Sequence, residues 1–384
     1  MKKTTPADAG QEGLPPLAGP ARGFPSAEHA ARIRTLIAAL KRERLDGAIL
    51  SGAVARFYYT GIASSAGTLW VDVRDGPVFL VDFRYIFMAR AALPFMPCVL
   101  QKHDGPGERR LLKRAAHWRR CGFEGGMSAA LLKRRQEQLP AIAEWVDIDR
   151  LLQAQRAVKS PRELRAMRRA LAANEALLAA ILPRLHPGQS EWEIRNLFRR
   201  GADAFGQGEA FDTIVCAGAN AAECHHVPGN DVLGTGQPLL LDFGLRLDHY
   251  CADLTRCIVF GRATASYRRL HRIVHEANRR AISAIRPGMT GREVDAVART
   301  YIEKAGYGAA FGHGLGHGLG LEVHESPAFS PACDTVIQPG MVITVEPGIY
   351  LPRRAGIRIE DVVLITRDGC EVLTHTPHWI ERTA

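Results

Sequence analysis

The sequence predicts an α/β protein of two domains: a smaller α/β domain on the N-terminal side and a duplicated α/β domain behind it. Three observations predict this. At 384 residues the chain exceeds what one ordinary hydrophobic core organises, so two or three domains are expected. From residue 28 onward, helical periodicity alternates with short apolar strands bounded by glycine. A segment beginning at His186 recurs one hundred residues later at Arg286, followed each time by histidine and then by an apolar run ending in an acid.

Residues 1–27 read as a flexible tail. Thr4 to Gly19 is rich in Pro, Gly and Ala, carries Asp8 and Glu12, and lacks the apolar stretch of a signal peptide. The first domain spans 28–152. It opens with a helix over 28–44, where Ile33, Leu36, Ile37 and Leu40 share a face, and continues with strands at 47–50, 69–73 and 77–81. It holds no cluster of chemistry. The second domain spans 153–384 and starts with Ser160-Pro161-Arg162-Glu163, a capping box with proline at the first helical position. The helix it opens carries Leu164, Met167, Leu171 and Leu178 on one side and ends near Pro183.

The repeat follows. His186-Pro187-Gly188-Gln189-Ser190 and Arg286-Pro287-Gly288-Met289-Thr290 are Pro-Gly turns leading into helices capped by Ser190 and Thr290, with Glu193 and Glu293 three residues on. Each is succeeded by histidines, and then by an acid six residues past a glycine, Gly236 to Asp242 and Gly340 to Glu346. Repeated order of this kind predicts two halves about a pseudo-twofold axis, with the acid-bearing strands side by side.

Chemistry concentrates in the second domain. Residues 311–325 place His313, His317 and His324 among five glycines, which lets backbone approach backbone closely. No register of this stretch gives a dinucleotide or phosphate-loop fingerprint. Asp242 ends the apolar run 239–241, and a buried carboxylate there requires a cation or strong donors. Asp253 stands eleven residues later on the expected partner strand; Glu346 ends a second apolar run, and Glu360 follows it by fourteen. Four carboxylates this close repel strongly without dications between them. Oxygen-rich ligation with one imidazole predicts two divalent ions, Mn²⁺ foremost, with Co²⁺, Zn²⁺ or Fe²⁺ as alternatives. Such a pair, roughly 3.5–4 Å apart, would share a water and lower its pKa towards ~7.

Composition narrows the alternatives. The net charge is +10, with basic clusters between 101 and 170, but aromatics are 7% and do not interleave with them, so solvated helix faces rather than a nucleic-acid surface are expected. No run approaches the ~18 apolar residues of a membrane span. Eight cysteines without a C-x-x-C predict reduced thiols in a cytoplasmic protein, Cys224 beside His225 among them.

In the order L-L-D-F-G, Y-x-x-D-x-T-R, G-H-G-L-G-L-E-V-H-E, T-V-E-P-G-I-Y and G-I-R-I-E-D, the motifs over about 155–384 resemble those of the pita-bread metallopeptidases. These are the Xaa-Pro aminopeptidases, Xaa-Pro dipeptidases and methionine aminopeptidases. Residues 28–150 resemble, more weakly, the N-terminal domain of the proline-specific branch. The resemblance implies that Asp242, Asp253, His317, Glu346 and Glu360 are metal ligands, with Asp253 and Glu360 bridging. It implies that Glu346 also moves the proton from the nucleophilic water towards the leaving nitrogen. It further implies that His225 and His324 face the scissile carbonyl, and that His313 and Arg358 contact substrate or orient a ligand. His226 has no role in that pattern, and a structural hydrogen bond is expected of it.

Many Xaa-Pro dipeptidases carry an arginine shortly after the His-Glu pair; here that place is held by Ala328. The expectation is therefore an Xaa-Pro aminopeptidase acting on peptides with proline second, and an Xaa-Pro dipeptidase is the alternative. A non-catalytic peptide- or nucleic-acid-binding relative is disfavoured, because all five ligands are kept. A homodimer is what the resemblance implies.

Overall fold

A computed structural model describes residues 26–102 and 105–382. The chain divides into two compact units that part between Arg156 and Ala157. Of the stretch read as a tail, Ser26 and Ala27 already belong to the first helix, Ser26–Arg42, and the remainder lies outside the described residues. That helix stops two residues short of the expected end, where Arg44 takes a left-handed conformation (φ 56°).

The N-terminal unit is built on a six-stranded mixed sheet. Its strands run, in spatial order, Cys98–Leu100, Gly76–Val81, Thr68–Asp72, Gly47–Leu50, Arg120–Phe123 and Glu144–Asp147. The central pairings are antiparallel and the flanking ones parallel. The hairpin 68–81 is tightened by Asp72, whose Oδ1 accepts from the backbone of Arg74 (2.8 Å) and Asp75 (3.0 Å), while Oδ2 accepts from the Trp118 indole (2.8 Å). Gly47 is required at the sheet centre, since a Cβ there would lie 2.3 Å from the Trp118 ring. Ile49, Trp70, Leu80 and Trp118 form the core under this sheet.

Two sheets carry the C-terminal unit. One has Trp379–Arg382, Leu254–Phe260, Pro238–Phe243 and Ile214–Ala217 in that order; the other has Glu325–Phe329, Gly316–Gly318, Val342–Val345, Asp361–Ile365 and Cys370–Val372. Helix pairs accompany them, Pro161–Ile181 with Glu191–Phe205 and Ala265–Ala284 with Gly291–Lys304. The helix from Pro161 carries the expected capping box between Ser160 and Glu163. The repeat is reproduced in hydrogen bonds. Gly188 (φ 96°) donates to Leu233 O at 2.8 Å and Gly288 (φ 95°) to Ile337 O at 3.0 Å. Leu233 N returns to Gln189 O at 2.9 Å and Ile337 N to Met289 O at 2.8 Å. Both following helices are closed by full capping boxes.

One expectation is corrected. The strand that carries Asp242 and the strand that leads into Glu346 are not neighbours; they belong to different sheets. Each uses an edge to pair antiparallel with a later strand of its own half, 254–260 and 361–365 respectively. The halves meet through those later strands, where Glu360 N donates to Thr255 O at 3.4 Å. The acids converge because the two hairpins abut.

Candidate metal centre

Register explains how four acids distant in sequence reach one place. Thr255 stands opposite Asp242 in the first sheet, so Asp253, two residues earlier, lies just beyond the end of the strand pair. Asp253 thus falls in the short link before the partner strand rather than on it. In the second sheet Val345 stands opposite Asp361, and Glu346 and Glu360 are the next residues outward on the two strands. His317 comes from the short strand Gly316–Gly318 beside Val342–Val345. Glycine on either side is a requirement of close approach: a Cβ at 316 would sit 1.9 Å from Thr344 O, and one at 318 would sit 2.6 Å from Ser326 O.

Within this frame Asp253, His317 and Glu360 each offer a ligand atom, and the three atoms lie within 4.8 Å of one another. His317 Nε2 is 3.2 Å from Glu346 Oε1 and 3.6 Å from Asp253 Oδ2. Its Nδ1 faces Gly318 O at 3.1 Å; a carbonyl only accepts, so Nδ1 carries the proton and Nε2 is left for a cation. Thr255 Oγ1 donates to Glu360 Oε2 (2.9 Å), and Thr344 Oγ1 donates to Glu346 Oε1 (3.2 Å). Arg358 is buried; its Nη2 donates to Asp242 Oδ2 and its Nε to Thr255 Oγ1 (3.1 Å).

The electrostatics fit a dication site. Asp242 Oδ1 and Glu360 Oε1 are buried with no hydrogen-bond partner among the described residues, a costly arrangement unless a cation meets them. Burial first, and the charges of Glu346 and Asp242 second, push the Glu360 carboxyl up to about 8. Asp253 is held well above the ordinary carboxyl range by burial and then by Glu360 and Asp242. Conversely, against the effect of burial, the hydrogen bond with His317 takes Glu346 down to about 2, and Glu346 raises His317 to about 9. Burial raises Asp242 as well, so three held-up carboxyls beside a held-up imidazole are a set that divalent cations would discharge of protons.

A pH dependence follows. Ligands must be an anionic carboxylate and a neutral imidazole, so metal uptake displaces the protons that Glu360 holds up to about pH 8 and His317 up to about pH 9. Apparent affinity for Mn²⁺ is expected to rise with pH through the neutral range, by about tenfold per unit for each proton displaced. Calorimetric titration at pH 7 in two buffers of different ionisation enthalpy counts the protons. Uptake with no proton release would contradict the assignment.

The remaining sequence-predicted residues line the same cleft, of about 710 Å³. His313 donates from Nδ1 to Gly314 O (2.7 Å), so its Nε2 accepts from Tyr350 OH (2.8 Å), and Tyr350 accepts in turn from Arg358 Nη1 (2.9 Å). His324 packs edge-on against His317, ring centroids 4.3 Å apart. Desolvation first, then the neighbouring His317, holds it below the ordinary histidine value, so it is neutral at pH 7. His225 and Cys224 are exposed on the cleft wall. His226 does make the structural hydrogen bond expected of it, to Glu191 at 2.8 Å. Sequence reasoning missed Thr255, Thr344, Tyr350 and Glu191, because each also bonds a partner that spacing does not announce: Glu360, His317 N, His313 and the 217–229 segment respectively. It also missed the buried ion pair of Lys159 with Glu325 (3.2 Å), whose carboxylate accepts from Leu321 N at 3.0 Å beside His324.

Comparison with known proteins identifies the family. Residues 165–367 match the model of metallopeptidase family M24, and residues 32–158 that of the creatinase/prolidase N-terminal domain. An Xaa-Pro dipeptidase of Pyrococcus furiosus is 33% identical over 351 residues, 90% of this chain and 98% of its own. The structure of an Xaa-Pro dipeptidase from Bacillus anthracis superposes with a TM-score of 0.86 at 34% identity, covering 92% of this chain and 100% of that one. That of an X-Pro aminopeptidase from Thermotoga maritima gives 0.80 at 31% identity, covering 89% and 100%. With both family models matched in order and the carboxylates gathered at the strand ends, the chain belongs to metallopeptidase family M24, a pita-bread catalytic domain behind a creatinase/prolidase N-terminal domain.

Proposed function

We propose that this protein is a proline-specific exopeptidase that hydrolyses the bond before proline, acting first on Xaa-Pro dipeptides. The observation that carries the proposal is the cleft itself: four carboxylates and His317 line it, and two carboxylate oxygens in it are buried without partners among the described residues. Asp242, Asp253, His317, Glu346 and Glu360 would hold two divalent ions, Mn²⁺ foremost. When bound, these supply Lewis acidity and a nucleophile at neutral pH. The chain's own residues do the rest. His324, neutral and exposed on the cleft wall, donates an N–H to the scissile carbonyl oxygen as charge develops there, and His225 does so beside it. Glu346, held ionised beside the position of the nucleophile, receives a proton and passes it to the leaving proline nitrogen. Arg358 holds Asp242 and, through Tyr350, fixes the ring of His313.

The dipeptide reading displaces the aminopeptidase expected from Ala328. Two of the three relatives named above are called Xaa-Pro dipeptidases. A substitute for the arginine lacking at 328 also lines the cleft, Arg195, tied by one hydrogen bond (2.6 Å) to Asp212, which is 91% exposed. Arg195 itself is 15% exposed, but its acidic partner faces water, so the pair is weakly held and the guanidinium can exchange it for a substrate carboxylate. The aminopeptidase remains the second reading, since Ala328 itself offers no charge. Hydrolysis of an Xaa-Pro dipeptide and an Xaa-Pro-Xaa tripeptide by the manganese-loaded protein, side by side, is expected to favour the dipeptide at least tenfold in kcat/KM. A preference for the tripeptide returns the assignment to aminopeptidase, and no cleavage of either removes both.

A further inference from the structure

Glu191 is fully buried (0% exposed) on the first turn of the helix Glu191–Phe205, yet it belongs to neither the metal donors nor the cleft wall. Among the described residues, every bond its carboxylate accepts comes from one segment, 217–229. Its Oε1 accepts from Ala217 N (2.7 Å) and Asn220 Nδ2 (2.9 Å), and its Oε2 from His226 Nε2 (2.8 Å) and Gly229 N (3.0 Å). Two of these anchors precede His225 in the chain and two follow it. His226 is itself held on its other side, where Nδ1 faces Glu223 at 3.4 Å. Burial would lower the His226 imidazole, but the hydrogen bonds and charges of Glu191 and Glu223 together leave it raised. Beyond Ala217, which ends the strand Ile214–Ala217, the only regular structure in the segment is the short helical turn Gly218–Ala222. His225 projects from it, exposed, into the cleft.

We infer that Glu191 and His226 form a clamp whose function is to position His225 against the scissile carbonyl. Both are positioning residues, acting through His225 rather than on substrate. The physical reason is the cost of aim. A hydrogen-bond donor contributes to the transition state only if it is held within a fraction of an ångström of its place before the reaction, and an irregular segment loses that placement unless both its ends are fixed. A carboxylate with four donors converging on it, in a site closed to water, is a stiff fixture, and removing one arm loosens the others. The inference rests on the proposed catalytic role of His225 and extends it to residues outside the cleft.

A double-mutant cycle on kcat with an Xaa-Pro dipeptide and the full-length, manganese-loaded protein tests it. His226→Ala alone is expected to lower kcat by on the order of 10- to 100-fold, the range usual for residues that orient a functional group, with KM changed less than about threefold and metal content unchanged. His226→Gln, whose amide still donates to Glu191, is expected to recover most of the loss. In a His225→Ala background the same His226→Ala change is expected to cost no further rate, because nothing remains to be aimed. Losses that multiply in the double variant would overturn the clamp while leaving the role of His225 intact, as would His226→Gln being no better than His226→Ala. If His225→Ala by itself costs nothing, the catalytic reading of His225 fails and the clamp falls with it. Glu191→Gln, which turns one acceptor oxygen into a donor facing donors, should repeat the pattern. Should that variant not fold, the His226 pair decides alone.

Discussion

Asp253→Ala is expected to lose its metal and its activity together, with kcat/KM reduced by three orders of magnitude or more. The carboxylate lies at the centre of the donor group, one oxygen 3.6 Å from His317 Nε2 and within the cluster it forms with His317 and Glu360. Removing one ligand from a dication site weakens it more than removing a residue that merely orients a ligand, which already costs about 10- to 100-fold in affinity. Folding is not what fails. Burial and the charges of Glu360 and Asp242 hold the Asp253 carboxyl well above its ordinary value, so in the metal-free protein this side chain is a strained group, and alanine relieves it. The metal-free variant should therefore melt no lower than the metal-free parent. The parent should gain stability with added Mn²⁺ while the variant does not. Elemental analysis with thermal melts in the presence and absence of Mn²⁺ reads both halves. Full metal content in Asp253→Ala would remove this residue from the ligand set.

His324→Ala is expected to behave in the opposite way, keeping its metal and losing rate. The ring is exposed and stacks edge-on against His317 without entering the group of converging ligand atoms. Its imidazole is held low and so is neutral at pH 7, which suits an N–H donor to a carbonyl oxygen that gains charge in the transition state. Losing such a donor typically costs on the order of 10²- to 10³-fold in kcat, with a smaller effect on KM, because the bond strengthens only as the reaction proceeds. Stability should change by less than about 0.5 kcal/mol, as for other exposed positions. Release of metal from His324→Ala would exchange the roles assigned to His317 and His324.

How much of this could be read from the chain alone depends on distance along it. The capping boxes at Ser160, Ser190 and Thr290 were legible because a helix start is written within four residues. So was the repeat, since Gly188 and Gly288 form the same turn one hundred residues apart. Gly316 and Gly318 announced close backbone approach, though not that Thr344 and Ser326 would be the groups approached. The error about adjacent acid strands has a simple cause. Periodicity marks a strand and its buried side but not which edge it offers, and here each acid strand offers an edge to a partner within its own half.

By itself the sequence determined which residues are chemically fit to hold cations and their order, because an acid closing an apolar run, as at Asp242 and Glu346, is a local property, whereas the place of Asp253 in a link before its strand is not. Only the tertiary structure decided that Thr255 holds Glu360 across 105 positions, that Tyr350 links Arg358 to His313, and that Glu191 anchors the segment of His225. Those contacts arise where two hairpins abut and where a helix end meets a loop. The free energy of such meetings comes from desolvated polar groups finding partners, and no spacing within one segment encodes which partner will be near.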